Sequence, residues 1–327
     1  MCFPDGRNFN RRFFKRPAFS LAELMVSLAV FSLAASALTA SFLLAAKHME
    51  SVTDYNKAAA RAAAVEAFLL APATYCGFGM PLEPERYRES FGDMQGAPFC
   101  NWDGPVSVAE AGGNSTNWSD RRKDSALYIA YAMPGSSRTN ELTLLDDENR
   151  LIRLDSAPAD SELKASAGRS LICFGSAIPP GSIIKVANVS GRGELTADIP
   201  PSSRISIQPL DRMHLFRAMT VFAYRDILYT NDFSGSGRQP RLCGVCDLRF
   251  KVDVQGNKLI VYALTRGDKK YHKPSPVKGL EHWPKEYLED IHEHDANYLL
   301  LVTKLTLELP NCRPLSILNS GNAEEAF

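Results

Sequence analysis

The stretch "KRPAFSLAELMVSLAVFSLAASAL", residues 15–38, decides how the chain is read. It passes abruptly from basic to apolar, and Glu23 is the only formal charge from Leu21 to Ala46. That apolar segment would reach ~39 Å as a helix at ~1.5 Å per residue, enough to cross a ~30 Å hydrocarbon core with some tilt. Arg7, Arg11, Arg12, Lys15 and Arg16 precede it, against Asp5 alone. The positive-inside rule therefore predicts a cytoplasmic N-terminus, with everything after Ala46 facing outward. A carboxylate deep in such a segment costs ~2.5–3.5 kcal/mol, and the run itself offers Glu23 no partner.

Two kinds of cleaved signal compete with a retained anchor. A secretory signal would be cut near Ala35-Ser36-Ala37 or Leu38-Thr39-Ala40, and "RRFFK" at 11–15 partly matches a twin-arginine signal. Glu23 argues against both, and so does the sequence that follows. Residues 47–70, "KHMESVTDYNKAAARAAAVEAFLL", hold no Gly or Pro. Met49, Val52, Asn56, Ala59, Ala63 and Leu70 recur at helical steps and predict a narrow packing stripe, with Lys47, Glu50, Asp54, Lys57, Arg61 and Glu66 mostly off it. Pro72 is expected to close the helix. One helix from about Ser20 to Leu70 follows, and a cleaved signal has no need of such an extension.

A short basic leader, a small residue and then "FSLAELMVSLAVFSL" resemble the class III signal of type IV pilins and type II secretion pseudopilins. The resemblance implies cleavage by a prepilin peptidase between Ala18 and Phe19, N-methylation of Phe19, and an assembly role for Glu23 as the fifth mature residue. In that family the glutamate is thought to pair with the N-terminal amine of a neighbouring subunit. Carboxylate and ammonium are each costly alone in lipid and attract when brought together. The chain departs from the pattern at Ala18, where glycine is usual, and at Ala22, where a bulkier aliphatic is usual. It also has Ala40 near the place where many major pilins carry a proline. The implied partners are the prepilin peptidase, other major and minor pilins or pseudopilins, the inner-membrane assembly platform and membrane lipid. The resemblance covers pilus, secretion and DNA-uptake machines alike.

Beyond Pro72 the pattern changes to short β-rich runs: 125–132, 141–147, 150–155, 170–175, 182–187 and 297–309. Residues 248–265 read as a hairpin turning at Gln255-Gly256-Asn257. Segments 77–120 and 266–296 read as long loops, and "DFSGSGRQP" (232–240) as a flexible turn. A helix followed by many strands predicts an α+β fold in which the long N-terminal helix packs against an antiparallel β-sheet domain, pilin-like in kind. The predicted organisation is a leader (1–18), a transmembrane helix (19–46), the outer half of the same helix (47–71), a β-rich domain (72–318) and a tail (319–327). Tyr75-Cys76-Gly77, "GVCDLRFKV" (244–252) and the closing apolar strand resemble, loosely, PilW-type minor pilins and J-type pseudopilins.

Seven cysteines are present. Cys2 lies in the leader, which leaves Cys76, Cys100, Cys173, Cys243, Cys246 and Cys312 as an even set suited to disulfides in an outward-facing domain. Cys76–Cys100 is the expected first pair, tying down the loop after the helix, and Cys312 is expected to fix the last strand to an inner element. Zinc at Cys243 and Cys246 would need two more ligands, and His272, His282, His292 and His294 do not supply a second close pair. "DDEN" at 146–149 lacks calcium-loop spacing and reads as a β-turn. Lys+Arg and Asp+Glu both number 37; without the leader's five bases and one acid the balance is 32 to 36. That slightly acidic remainder gives no reason to expect nucleic acid as a partner. No nucleophile–base arrangement or carboxylate pair stands out, so neither an enzyme nor a cofactor is expected.

Overall fold

The computed structural model describes residues 20–91, 99, 102–109, 125–158, 163, 170–190, 193–201, 203–233, 237–253, 257–291 and 296–312. The chain divides into two units, Met1–Thr53 and Asp54–Phe327, and helix α1 (Leu21–Tyr75) contributes to both.

In the first unit α1 has no buried residue, with Leu21, Phe31 and Phe42 each more than 70% exposed. It is long and apolar enough to cross a membrane. Most of its hydroxyls are satisfied within the helix. Ser27, Ser32 and Ser36 donate to the carbonyls of Leu24, Ala29 and Leu33, and Thr39 donates to that of Ala35, all at 2.8–2.9 Å. Such back-bonding leaves little polar surface unpaired in an apolar solvent.

In the second unit α1 buries Asp54, Ala58, Ala62, Val65, Leu69, Pro72 and Ala73. This is not the stripe expected from hydropathy: Met49 (in the first unit) and Leu70 are exposed, while Asp54 is among the most buried polar groups. Packing chose a face of small residues that lets the helix lie close to a sheet, and polar bonds fix it there. Asp54 Oδ1 accepts from the amides of Asp268 (2.6 Å) and Lys269 (3.1 Å), and Tyr271 Oη donates to Oδ2 at 3.2 Å. Thr265 Oγ1 donates to the Ala58 carbonyl at 2.9 Å, and Arg61 donates to the Arg266 carbonyl at 2.5 Å. Lys57 and Arg61 both pair with Asp268. Further along, Val65 and Leu69 are fully buried, worth roughly 1.5–3 kcal/mol each. Pro72 does not end the helix, which runs on to Tyr75. The stop comes instead at Gly77, whose φ of 72° is the left-handed conformation that glycine adopts without strain.

The strands form antiparallel pairs throughout. β1 (Val106–Ala109), β2 (Ala126–Arg138), β4 (Leu151–Arg153), β5 (Leu171–Phe174), β6 (Ile183–Val189), β7 (Glu194–Asp198), β9 (Arg212–Tyr224), β10 (Ile227–Asp232) and β11 (Gly237–Cys243) make a nine-stranded sheet. β3 (Thr143–Leu145) pairs β8 (Ile205–Ile207), while β12 (Val245–Asp253), β13 (Lys258–Lys270) and β14 (Tyr298–Glu308) make a three-stranded sheet. The α+β class is thus as expected. β12 and β13 are the expected hairpin partners; Gln255 and Gly256 lie outside the described residues, and Asn257 has φ 50°.

The main core lies between helix and sheets: Val65, Leu69 and Ala73 pack with Leu127 and Ile129 of β2, Met219 and Val221 of β9, and Leu248, Val261 and Leu307 of the smaller sheet. A second core fills the lobe of β3 to β8, around Ile152, Ile172, Ile184 and Leu195. On its outer face the smaller sheet buries Asp247 and Arg249, an ion pair at 3.0 Å.

Three expectations of loop are corrected. The 77–120 segment contains helix α2 (Pro84–Glu89) and β1, and its aromatics cover the nine-stranded sheet: Phe91 and Phe99 meet Phe216 at 5.4 and 5.5 Å between ring centroids. The 266–296 segment begins as the end of β13. It then covers the smaller sheet with Trp283 and Ile291, the latter on helix α3 (Leu288–Ile291), packed against Leu264, Leu300 and Val302. The glycine-rich 232–240 segment enters β11, where Arg238 pairs with Asn231. At "DDEN" the expected turn forms, with Asp146 Oδ1 accepting from the amides of Glu148 and Asn149 at 2.9 and 2.7 Å.

Candidate functional site

Glu23 sits in the first turn of α1, and it has a partner in its own chain. Ser20 donates to Glu23 Oε2 through both its amide (3.0 Å) and its hydroxyl (3.1 Å), while the Glu23 amide donates to Ser20 Oγ at 3.2 Å. The amide of Leu24 bonds the Ser20 carbonyl at 3.2 Å, which makes Ser20 the residue just before the helix and Glu23 the third within it. This is a reciprocal capping box, in which serine and glutamate satisfy one another's amides. The expectation that the run offers Glu23 no partner is therefore corrected. The signal was present as S-x-x-E immediately before an apolar run.

The box occupies one oxygen of the carboxylate. Among the described residues no group donates to Oε1, and an ionised carboxylate has about four acceptor positions in all. The helix N-terminus also favours an anion at this place. Glu23 shares one face of α1 with Val26, Ser27, Val30, Phe31 and Ala34, so an apolar stripe with a carboxylate at its end is presented to the surroundings. Chemically this arrangement is suited to receive a second apolar helix that brings a cation near Oε1. Ala18 and Phe19, the expected cleavage and methylation positions, lie outside the described residues, as do Cys2 and Cys100.

The remaining cysteines are dispersed, with one exception. Cys173 is fully buried against the Phe78 carbonyl, and burial pushes its thiol up to about 12. Cys243 is exposed at the end of β11, while Cys246 is buried beside Trp283 and raised by burial and by the Asp226 carboxylate. The two residues of the Cys-x-x-Cys motif thus sit in different environments. Cys76 and Cys312 meet, with Sγ atoms 3.6 Å apart. Burial and the adjoining Cys312 sulfur raise the Cys76 thiol well above its usual value. Among the described residues no group of three or more His, Cys, Asp or Glu side chains is placed to hold a metal ion.

No protein-family model, no curated protein and no solved structure matches the chain.

Proposed function

We propose that this chain is a minor pilin or pseudopilin, a structural subunit that primes or caps assembly of a type IV pilus-like filament. The observation that carries the reading is Glu23: a single carboxylate at the head of an exposed apolar helix, one oxygen held by Ser20 and the other, among the described residues, open. In this reading a prepilin peptidase cuts between Ala18 and Phe19, and the new amine of Phe19 is methylated. The subunit waits in the inner membrane with its β-domain in the periplasm, and Glu23 takes the terminal amine of an adjoining subunit. The long helix, half of it packed on an antiparallel sheet, is pilin-like in arrangement. A β-domain of this size is easier to place at a filament tip than in every layer of a shaft.

A second reading is a single-span anchored ectodomain, an enzyme or binding module unrelated to filaments. The capping box favours it, because Ser20 already explains why a glutamate begins this helix. Glu23→Gln separates the two, since glutamine also closes a capping box but carries no charge. The filament reading expects Glu23→Gln to remain membrane-inserted and to lose recruitment into assembled material. The anchor reading expects it to behave as the parent chain. Peptide mass analysis of mature protein from its host should find a start at Phe19; an intact Met1 or a start near Ser41 refutes the filament reading.

A further inference from the structure

We infer that Cys76 and Cys312 form a native disulfide that bolts the C-terminal end of α1 to the segment following β14. The geometry assembles the pair from elements far apart in sequence. Cys76 follows the last residue of α1, held by its amide bond to the Ala73 carbonyl and by a bridge to Tyr131 of β2. Cys312 lies three residues past the buried Leu309, and its amide bonds the Leu309 carbonyl at 3.1 Å. Asn311, its neighbour, donates from Nδ2 to the Thr74 carbonyl of α1 at 2.8 Å. The approach is close enough that a Cβ on Gly77 would stand 3.1 Å from Cys312 Sγ, so glycine makes room for the sulfur. From 3.6 Å the sulfurs need to close by about 1.5 Å to reach the ~2.05 Å of a bond. No other described cysteine is recorded within sulfur contact of another.

The oxidation proceeds by thiol–disulfide exchange with a protein or small-molecule disulfide donor of an oxidising compartment. Cys312 is partly exposed and Cys76 is enclosed, so exchange begins at Cys312. Its thiolate attacks one sulfur of the donor and releases the donor's other thiolate, leaving a mixed disulfide. The Cys76 thiol then gives up its proton, attacks the Cys312 sulfur and expels the remaining donor thiolate. Two thiols have lost two protons and two electrons, and the donor has become a dithiol. Because Cys76 and Cys312 are 236 residues apart in sequence, the bond closes only when the end of the chain has docked on α1. It therefore marks a completed fold, and it ties the helix that enters the membrane directly to the last sheet. The native occurrence of the bond rests on the outward placement given under the proposed function; the contact between the two sulfurs does not.

The test uses the full chain in detergent, reduced and then treated with glutathione disulfide, followed by digestion without reductant and peptide mass analysis. The expected product links the peptides of Cys76 and Cys312, and reducing it should lower Tm by about 4–16 °C. Cys312→Ser should abolish the linked peptide and show the lower Tm with or without reductant. Linkage of Cys76 to Cys100 instead, or full alkylation of both thiols after oxidation, overturns the pairing. The same mapping is then done on protein from native membranes. A pair that forms with glutathione disulfide but is found reduced there overturns both the native bond and the outward placement, while leaving the contact intact.

Discussion

Replacing Asp54 by alanine tests the anchor between α1 and the three-stranded sheet. The side chain is 3% exposed and serves three donors: the amides of Asp268 and Lys269 and the hydroxyl of Tyr271. Alanine leaves the two amides without this acceptor in a partly buried site, at roughly 1–3 kcal/mol each. The partly buried Tyr271 hydroxyl is expected to recover a bond to solvent, so the total is about 2–6 kcal/mol. Asparagine keeps an oxygen in the place of Oδ1 and loses only the charge assistance, for about 1–2 kcal/mol. In a domain of this size each kcal/mol moves Tm by roughly 2–4 °C. The expectation is therefore a fall of about 4–24 °C for Asp54→Ala and about 2–8 °C for Asp54→Asn. Thermal unfolding of the full chain in detergent, followed by tryptophan fluorescence, reads both. Equal shifts for the two variants, or an alanine variant within about 2 °C of the parent, would refute the anchor.

Gly267 approaches the same carboxylate, since a Cβ built there would lie 2.2 Å from Asp54 Oδ2. Gly267→Ala should therefore destabilise the parent by about 2–4 kcal/mol yet cost little in an Asp54→Ala background, a non-additivity that urea unfolding of the four chains measures. Stability should also fall in acid. Hydrogen bonds from Lys57 and Arg61 lower Asp268 from 3.8 to about 2. A carboxylate held below its unfolded value stabilises at higher pH, and this contribution is lost as pH falls from about 4 towards 2. Asp268 is about half exposed, so solvent screens the pair and the effect is small. Urea midpoints between pH 5 and 2 should fall less steeply for Lys57→Ala than for the parent, and parallel curves would count against the assignment.

The parts of the fold that were legible in the sequence are those with a regular period or uniform composition. The apolar run of α1, the alternating strands β2, β12, β13 and β14, and the turn at Asp146–Asn149 all belong here. β9 was not legible, although it is the strand to which β2, β5 and β10 all attach. It is buried on both faces, Phe216 and Ala218 towards one core and Met219 and Val221 towards another, so alternation vanishes. His214 and Arg217 further interrupt it. The packing face of α1 failed for a related reason: hydropathy ranks Met49 and Leu70 above Ala58, Ala62 and Asp54, but close approach to a sheet selects small side chains. Nothing within 47–70 reveals that amides more than 200 residues away wait for Asp54. The pairing of Cys76 with Cys312 was hidden in the same way, because spacing favoured the nearer Cys100. Ser20 was legible as the first residue of S-x-x-E, although a hydroxyl carries no charge to mark it as a partner for a carboxylate.

Two acids of α1, Glu23 and Asp54, solve one problem differently, and the difference bears on which of them is free to act. Both sit where a carboxylate needs hydrogen-bond donors, and both find them. At Asp54 the donors come from the fold itself: Oδ1 takes two amides and Oδ2 a phenol, so both oxygens are engaged and the residue is committed to structure. At Glu23, among the described residues, Ser20 supplies every donor, all of it reaches Oε2, and Oε1 is left over. A glutamate needed only to begin a helix would be replaced by glutamine at small cost, because glutamine also closes the capping box and the charge adds only about 0.3–1 kcal/mol at a helix N-terminus. Beyond that small term, the charge matters only if a cation arrives from elsewhere. Glu23→Gln therefore removes what an intermolecular partner needs and leaves intact what the helix needs. Loss of recruitment with retained insertion is the result that an assembly role demands and a purely local role forbids.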